Sequence, residues 1–114
     1  MSKYILIASM DIEPGKEEIF NEVYDTEHIP GILKVPGVIS VERLKSQPMK
    51  MHFGGKLQDM DISGEPTYTA IYQIEGPDVL TTEEWGKAVE AGRWPTEVRP
   101  FTSNRQFALR KSIN

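Results

Sequence analysis

The residues of this sequence that are best placed to do chemistry lie between Tyr24 and Pro30. Tyr24 and His28 are four residues apart, so they share one face of a helix with Phe20. Pro30 has no N–H to donate, which predicts that the helix ends within about one residue of His28. The imidazole would then lie at a helix C-terminus, beside a buried stripe.

This position makes His28 a candidate general acid or base. Unpaired carbonyls at a helix C-terminus favour the protonated ring, and Asp25, three residues earlier, could orient it or pair with it. Partial burial favours the neutral ring. A histidine between these influences titrates near neutrality, and Tyr24 supplies a second proton donor at the same wall. The alternative is a structural histidine that only closes the helix end.

Length and composition limit the class of protein. With 114 residues, 39% of them hydrophobic and 26% charged, the chain is expected to form one globular domain over residues 1–114. A net charge of -4 with scattered basic residues predicts neither a nucleic-acid nor a membrane partner, and the lack of cysteine excludes disulfides and thiolate sites. The N-terminal segment has the pattern of neither a secretory signal nor a membrane span, so we expect a cytoplasmic protein.

Hydrophobic periodicity predicts the order strand, helix, strand, strand, helix, strand. The predicted strands cover residues 3–10, 38–46, 67–74 and 102–111, and the helices end near residues 28 and 91. This order is the split βαβ of a ferredoxin-like antiparallel sheet, an α+β fold with both helices packed on one face.

The second helix carries Thr81 and Glu84 in capping-box spacing, and Trp85 heads its apolar stripe. We therefore expect Trp85 to belong to the core.

Residues 47–66 interrupt the pattern as a long connection. Within it, residues 49–53 alternate well enough to form a short extra strand or flap. Two interpretations stay open: a methionine-bearing lid over an apolar pocket, and a plain surface loop. His52 in this segment has no partner at ligand spacing, so we predict no metal site.

The sheet face that the helices leave free carries too many apolar side chains to be exposed to water. Because no predicted strands are left over, we expect a second copy to cover it, in a homodimer whose two sheets close into a barrel-like core. The alternative is a monomer in which the long loop folds back over the sheet.

The stretch YDTEHIPGILKVPGVISVERL, residues 24–44, resembles the hallmark of the dimeric α+β barrel superfamily, in particular its EthD-like branch. There a Tyr-Asp-x-x-His-x-Pro helix end precedes a Pro-Gly-hydrophobic strand. The predicted element order agrees over nearly the whole chain. Relatives include muconolactone isomerases, cofactor-free quinone-forming monooxygenases and polyketide cyclases, so the resemblance implies a fold more strongly than a reaction.

The resemblance implies a pocket at the end of the first helix, with an anion or carbonyl partner on the following strand and a rim just before the last strand. Aromatic side chains such as Tyr72 and either Trp85 or Trp94 would hold a planar or lactone-like substrate. The predicted catalytic residues are His28, Tyr24 and Asp25, and the predicted substrate-binding residues are Arg43, Tyr72, Trp94 and Arg99.

The predicted function is that of a cofactor-independent enzyme acting on a small apolar or aromatic carbonyl-containing ligand. His28 would move a proton at a carbon next to a carbonyl, and Tyr24 or Arg43 would stabilise the oxyanion. Isomerase, lyase and cyclase chemistry all fit, and oxygenation of an electron-rich phenol without metal or flavin would use the same base. The alternative is a non-catalytic ligand-binding or stress-related dimer in which His28 and Asp25 close the helix end.

Overall fold

The computed structural model describes residues 3–114 and contains a four-stranded antiparallel sheet covered by helices on one face. The strands are β1 (Tyr4–Ile12), β2 (Val38–Lys45), β3 (Met49–Phe53), β4 (Lys56–Met60), β5 (Tyr68–Ile74) and β6 (Thr102–Lys111). The order in the main sheet is β2-β5-β1-β6, and β3 and β4 form a separate hairpin. The predicted ferredoxin-like α+β fold is confirmed.

The helical layer consists of short segments joined end to end. The first run comprises α1 (Glu17–Val23), a π-helical turn (Tyr24–His28) and α2 (Ile29–Leu33). The second run comprises a 3-10 turn (Pro77–Thr81), α3 (Glu83–Ala88), a π-helical turn (Trp94–Val98) and a 3-10 turn (Arg99–Phe101).

The first helical run continues past Pro30, so the prediction that it ends near His28 is wrong. The N–H of Ile29 donates to the carbonyl of Tyr24, five residues earlier, which is the hydrogen bond of a π-helix. A proline in a regular α-helix collides with the carbonyl of the fourth residue before it, and the wider turn relieves this collision. His28 therefore lies inside a continuous helical run.

The same local sequence, Thr-Glu-x-x-Pro, accompanies both π-helical turns. It occurs at residues 26–30 and again at residues 96–100. In the second turn the N–H of Arg99 donates to the carbonyl of Trp94, again five residues earlier. Each turn ends two residues before its proline, so the same steric cause accounts for both.

The core lies between this helical layer and the helix-facing side of the two central strands, β1 and β5. Alternate residues of both strands are buried, and Ala8 pairs with Ala70 at the centre of the sheet. Phe20, Val23 and Ile32 from the first helical run are fully buried against them. Small side chains at the sheet centre leave space for aromatic side chains from the helices and for a cavity.

The opposite face of the sheet carries Ile5, Ile7 and Ile71 at its centre. These residues are only half-buried, whereas their neighbours along the same strands are buried on the helix side. Leu44 lies on the same open face and is exposed. The expected second apolar face is therefore present.

The β3–β4 hairpin confirms the predicted extra strand in the long connection. Met49, Met51, Phe53 and Leu57 on the hairpin are all exposed. Among the described residues, no helix combines the length and the apolar character needed to cross a membrane.

The second predicted helix corresponds to α3 and begins later than predicted. Thr82, not Thr81, is its N-cap, and the Thr82 hydroxyl accepts from the N–H of Trp85 at 3.1 Å. The helix ends at Ala88, and the chain then reverses through Gly92, whose φ is 67°.

Candidate active site

His28 lies on the inner side of the first π-helical turn and is 6% exposed. Its ring stacks on Trp94, with centroids 4.2 Å apart and planes 19° apart, and it meets the ring of Tyr24 edge-on at 5.1 Å. One π-helical turn thus supplies the imidazole and the other supplies the indole beneath it.

The electrostatics of His28 differ from those predicted for a helix end. Burial, with a smaller contribution from the positive charge of Arg99, lowers the pKa of His28 from 6.5 to about 4. The buried Nδ1 atom has no hydrogen-bond partner among the described residues. The expected titration near neutrality is therefore wrong, because the ring has neither the helix-terminal carbonyls nor the carboxylate that would favour its charge. At pH 7 the ring is neutral and can accept a proton.

The predicted catalytic Asp25 and the predicted substrate-binding Arg43 lie outside the cavity beside His28. Arg43 donates to Asp25 at 2.9 Å and to Asn21 at 2.8 Å, and its guanidinium packs on the Tyr24 ring at 4.5 Å. Asp25 itself is exposed. In the widened turn Asp25 points to the outer side of the helix. There it pairs with Arg43 of β2.

Tyr24 and Tyr72 form a buried pair of phenols. Their hydroxyl oxygens are 2.8 Å apart, and burial raises the pKa of both hydroxyls well above the usual value of 10.0. Both side chains line the same cavity as His28. They therefore remain protonated at neutral pH and can donate a hydrogen bond.

A cavity of about 340 Å³ lies between the helical layer and the sheet. Its volume is in the range of small-molecule sites, and its lining is mostly apolar and aromatic. The predicted site residues that line it are Tyr24, His28, Tyr72, Trp94 and Arg99.

Arg99 is held at the cavity wall by the end of α3. It donates to the carboxylate of Glu90 at 3.0 Å and to the carbonyl of Val89 at 2.9 Å. Its charge is therefore largely paired.

Sequence reasoning missed several residues of the cavity lining. Arg105 and Phe107 come from the edge strand β6, and Met10 comes from the central strand β1. Trp85 is half-buried and packs against the core, as predicted in part, but it also lines the cavity. Phe107 pairs with Ala8 and so lies on the helix-facing side of β6, but nothing in the sequence indicated that the space beside it is open. The hairpin supplies none of the lining residues, so it does not act as a lid here.

Comparison with solved structures identifies proteins of the same fold. A candidate antibiotic biosynthesis monooxygenase from Bordetella bronchiseptica superposes with a TM-score of 0.69 at 17% identity, over 100% of both chains. SnoaB, a cofactor-independent oxygenase from Streptomyces nogalater solved as a point mutant, gives 0.61 at 13% identity, over 98% of this chain and 94% of the other. An EthD family protein from Bacillus halodurans gives 0.60 at 14% identity, over 97% and 99%.

No protein-family model matches the sequence, and no curated protein matches it. The likeness therefore lies in the fold, and these structures share the ferredoxin-like fold that the sequence predicted.

Proposed function

We propose that this protein is a small-molecule enzyme in which His28, without a cofactor, removes a proton from a planar substrate held in the cavity. The observation that supports this best is the state of the imidazole, which is buried, neutral at pH 7 and part of an aromatic cavity wall. A purely structural histidine usually has its buried ring nitrogens hydrogen-bonded, whereas Nδ1 of His28 has no partner among the described residues.

The low pKa of His28 limits the substrate class. A base whose conjugate acid has a pKa of about 4 takes a proton only from a group that is itself acidic. The CH₂ group of a polycyclic aryl ketone, conjugated to the carbonyl through the aryl rings, or a phenol, comes closest to this condition because the resulting negative charge spreads over the rings. The imidazolium and this anion then attract each other strongly, because the apolar cavity wall has a low dielectric constant.

The Tyr24–Tyr72 pair supplies the hydrogen-bond donor for the oxyanion. Two hydroxyls hold two protons and the bond between them uses one, so the other is available to a substrate oxygen. In this proposal the phenol pair takes the role that the sequence suggested for Tyr24 or Arg43.

We propose oxygenation by O₂ as the fate of the anion. When the acidic carbon is a CH₂ group between two aryl rings, one atom of O₂ becomes the new carbonyl oxygen. The other atom leaves as water with both hydrogens of that CH₂, so the substrate supplies all the electrons. Two observations support this outcome: the apolar lining suits both O₂ and a planar arene, and the fold is shared with a cofactor-independent oxygenase.

Proton-transfer chemistry without oxygen, as in an isomerase, lyase or cyclase, is the second candidate. The same low pKa favours it, because an imidazolium with a pKa of about 4 readily returns its proton to another atom of the substrate. Consumption of O₂ distinguishes the two candidates.

The test uses anthrone, a planar ketone with an acidic CH₂ group. The purified protein is expected to consume O₂ and form anthraquinone in equal amounts. His28→Asn should lower this rate by about a hundredfold or more, as expected for loss of a general base. His52→Asn is the matched control, because His52 is the other histidine of the chain and lies exposed on the hairpin.

Other outcomes assign the remaining functions. Exchange of the anthrone CH₂ hydrogens with deuterated solvent, lost in His28→Asn and without O₂ uptake, favours the proton-transfer candidate. Binding of anthrone without either reaction favours the non-catalytic ligand-binding protein. An unchanged rate in His28→Asn contradicts the role proposed for this residue.

We also propose that the protein acts as a homodimer through the open face of the sheet. The half-buried Ile5, Ile7 and Ile71 at the centre of that face support this assembly. Sedimentation should give twice the chain mass of 12.9 kDa, and Ile7→Lys together with Ile71→Lys should shift it to the chain mass. A parent protein that sediments at the chain mass would contradict the dimer.

A further inference from the structure

Arg105 is an exposed residue that lines the His28 cavity, so it lies at the cavity mouth. Within the described part of the chain, its guanidinium has no ion pair and no hydrogen bond. Arg43, Arg93 and Arg99, in contrast, are each paired with a carboxylate. The cavity therefore has one positive charge at its mouth that the described residues do not neutralise.

A β-bulge in the edge strand determines where Arg105 lies. The pairing of β1 with β6 shifts between Ser9 and Asp11, so that Asn104 and Arg105 together face Met10. A bulge of this kind bends a strand and redirects a side chain, and such bulges often adjoin active sites. Because Met10 also lines the cavity, the bulge keeps Arg105 at the cavity edge.

The bulge has an unusual backbone that a neighbouring strand holds in place. Asn104 has a φ of 50°, a left-handed conformation that side-chain-bearing residues rarely adopt. Its amide donates to one oxygen of Asp11 at 3.2 Å, and the other oxygen of Asp11 accepts from the N–H of Thr67 at 2.7 Å. Asparagine tolerates this conformation better than most residues, and the contacts with Asp11 fix the bulge and with it the position of Arg105.

The charges around the mouth indicate what kind of anion fits. Arg99 is neutralised by Glu90, so Arg105 supplies a single net positive charge at the mouth, which suits a monoanion better than a dianion such as a phosphate monoester. A guanidinium forms two parallel hydrogen bonds with a carboxylate, whose planar shape matches it. The neighbouring Phe107 and Met10 suit an apolar ring next to that group.

We propose that Arg105 forms an anion subsite at the mouth of the cavity, and that the substrate class is planar aromatic carboxylates. This inference rests on the proposed function, since it takes the same cavity as the substrate site. The carboxylate lies on Arg105, the ring system enters the aromatic cavity, and the acidic hydrogen lies toward His28. Arg105 thereby decides both which arenes bind and in which direction they enter.

The test compares an acid with a neutral molecule of nearly the same shape. The probes are 2-naphthoate and 2-acetonaphthone, whose dissociation constants are measured by equilibrium dialysis against the full-length protein. The parent should bind 2-naphthoate more tightly than 2-acetonaphthone. Arg105→Gln should weaken 2-naphthoate binding by at least about tenfold, which corresponds to the loss of one hydrogen bond to a charged group. The dissociation constant of 2-acetonaphthone should not change.

Two further variants control the result. Arg110→Gln removes a guanidinium from the same strand at a position that does not line the cavity, and it should change neither constant. Arg105→Lys keeps the charge without the planar fork and should give an intermediate loss for 2-naphthoate.

The possible failures are distinguishable. Equal weakening of both probes by Arg105→Gln, or no weakening of 2-naphthoate, overturns the anion subsite. A parent that binds 2-acetonaphthone but not 2-naphthoate overturns the subsite and leaves the proposed function standing. A parent that binds neither probe and turns over no anthrone contradicts both proposals.

Discussion

Glu27 and Arg93 form an ion pair one residue before the two rings of the His28–Trp94 stack. One carboxylate oxygen of Glu27 accepts from the backbone N–H of Arg93 at 3.0 Å, and the other accepts from its guanidinium. Gly92 is needed beside them, because a Cβ there would lie 2.5 Å from the Glu27 carboxylate. The ion pair thus joins the two π-helical turns just where the imidazole and the indole meet.

Glu27→Gln is expected to loosen this junction. The amide cannot accept from both donors of Arg93, so the Trp94 ring should lose part of its fixed position over His28. We expect a lower melting temperature, altered Trp94 fluorescence and a His28 pKa, followed by NMR, that rises from about 4 toward 6.5. Glu97→Gln is the matched control, since it changes the exposed glutamate of the second Thr-Glu-x-x-Pro sequence. An unchanged His28 pKa in Glu27→Gln would show that the ion pair does not position the ring.

The buried His28 makes stability depend on pH. Its pKa is about 4 in the folded protein against 6.5 for a free ring, so between these values the unfolded chain binds more protons. The free energy of unfolding should therefore fall as the pH drops from about 6.5 to about 4, by up to about 3 kcal/mol. His28→Gln should remove this dependence between about pH 6.5 and pH 5, a range above the pKa of the carboxylates. Urea unfolding at several pH values measures the free energy of unfolding. If this free energy changes with pH equally in the parent and in His28→Gln, the prediction is contradicted.

The Tyr24–Tyr72 pair should show non-additive stability. Tyr24→Phe or Tyr72→Phe alone leaves one buried hydroxyl without its partner, at a cost of about 1–3 kcal/mol. The double variant removes both hydroxyls and should cost clearly less than the sum of the two single changes. Chemical unfolding of all four proteins gives the coupling energy. Strict additivity would show that the two hydroxyls contribute independently.

Trp85→Ala should destabilise less than a core tryptophan would. Because Trp85 is half-buried over the cavity and meets Tyr72 edge-on at 5.9 Å, we expect a loss of about 1–2 kcal/mol, below the range of about 3–5 kcal/mol for a closed core. The enlarged cavity should also admit wider ring systems. A loss of about 4 kcal/mol in thermal unfolding would show that the indole acts mainly as core.

The sheet could be predicted because its signals are local. Alternating apolar residues specify β1 and β5, and the predicted range of the last strand, 102–111, is the observed one. The helix boundaries were harder. The rule that a proline ends an α-helix assumes the regular hydrogen-bond ladder, whereas this chain changes to a π-helical turn before Pro30 and continues.

The site could be predicted only in part for the same reason. His28, Tyr24 and Trp94 do meet at one cavity. The π-helical turn, however, places the imidazole inside the helical run and directs Asp25 outward, where it forms an ion pair with Arg43. Arg105 could not be found from the sequence, because its position depends on a register shift between strands far apart in the chain.

The β3–β4 hairpin branches from the main sheet between β2 and β5. The N–H of Ser46 donates to the carbonyl of Thr67 at 2.8 Å, so the ladder between β2 and β5 is already closed where residues 47–66 leave it and return. A chain that lacked this segment would need only a short reverse turn to keep the same sheet. We therefore expect the main sheet to form without the hairpin, and the hairpin tip at Gly54 and Gly55 to accept inserted sequences.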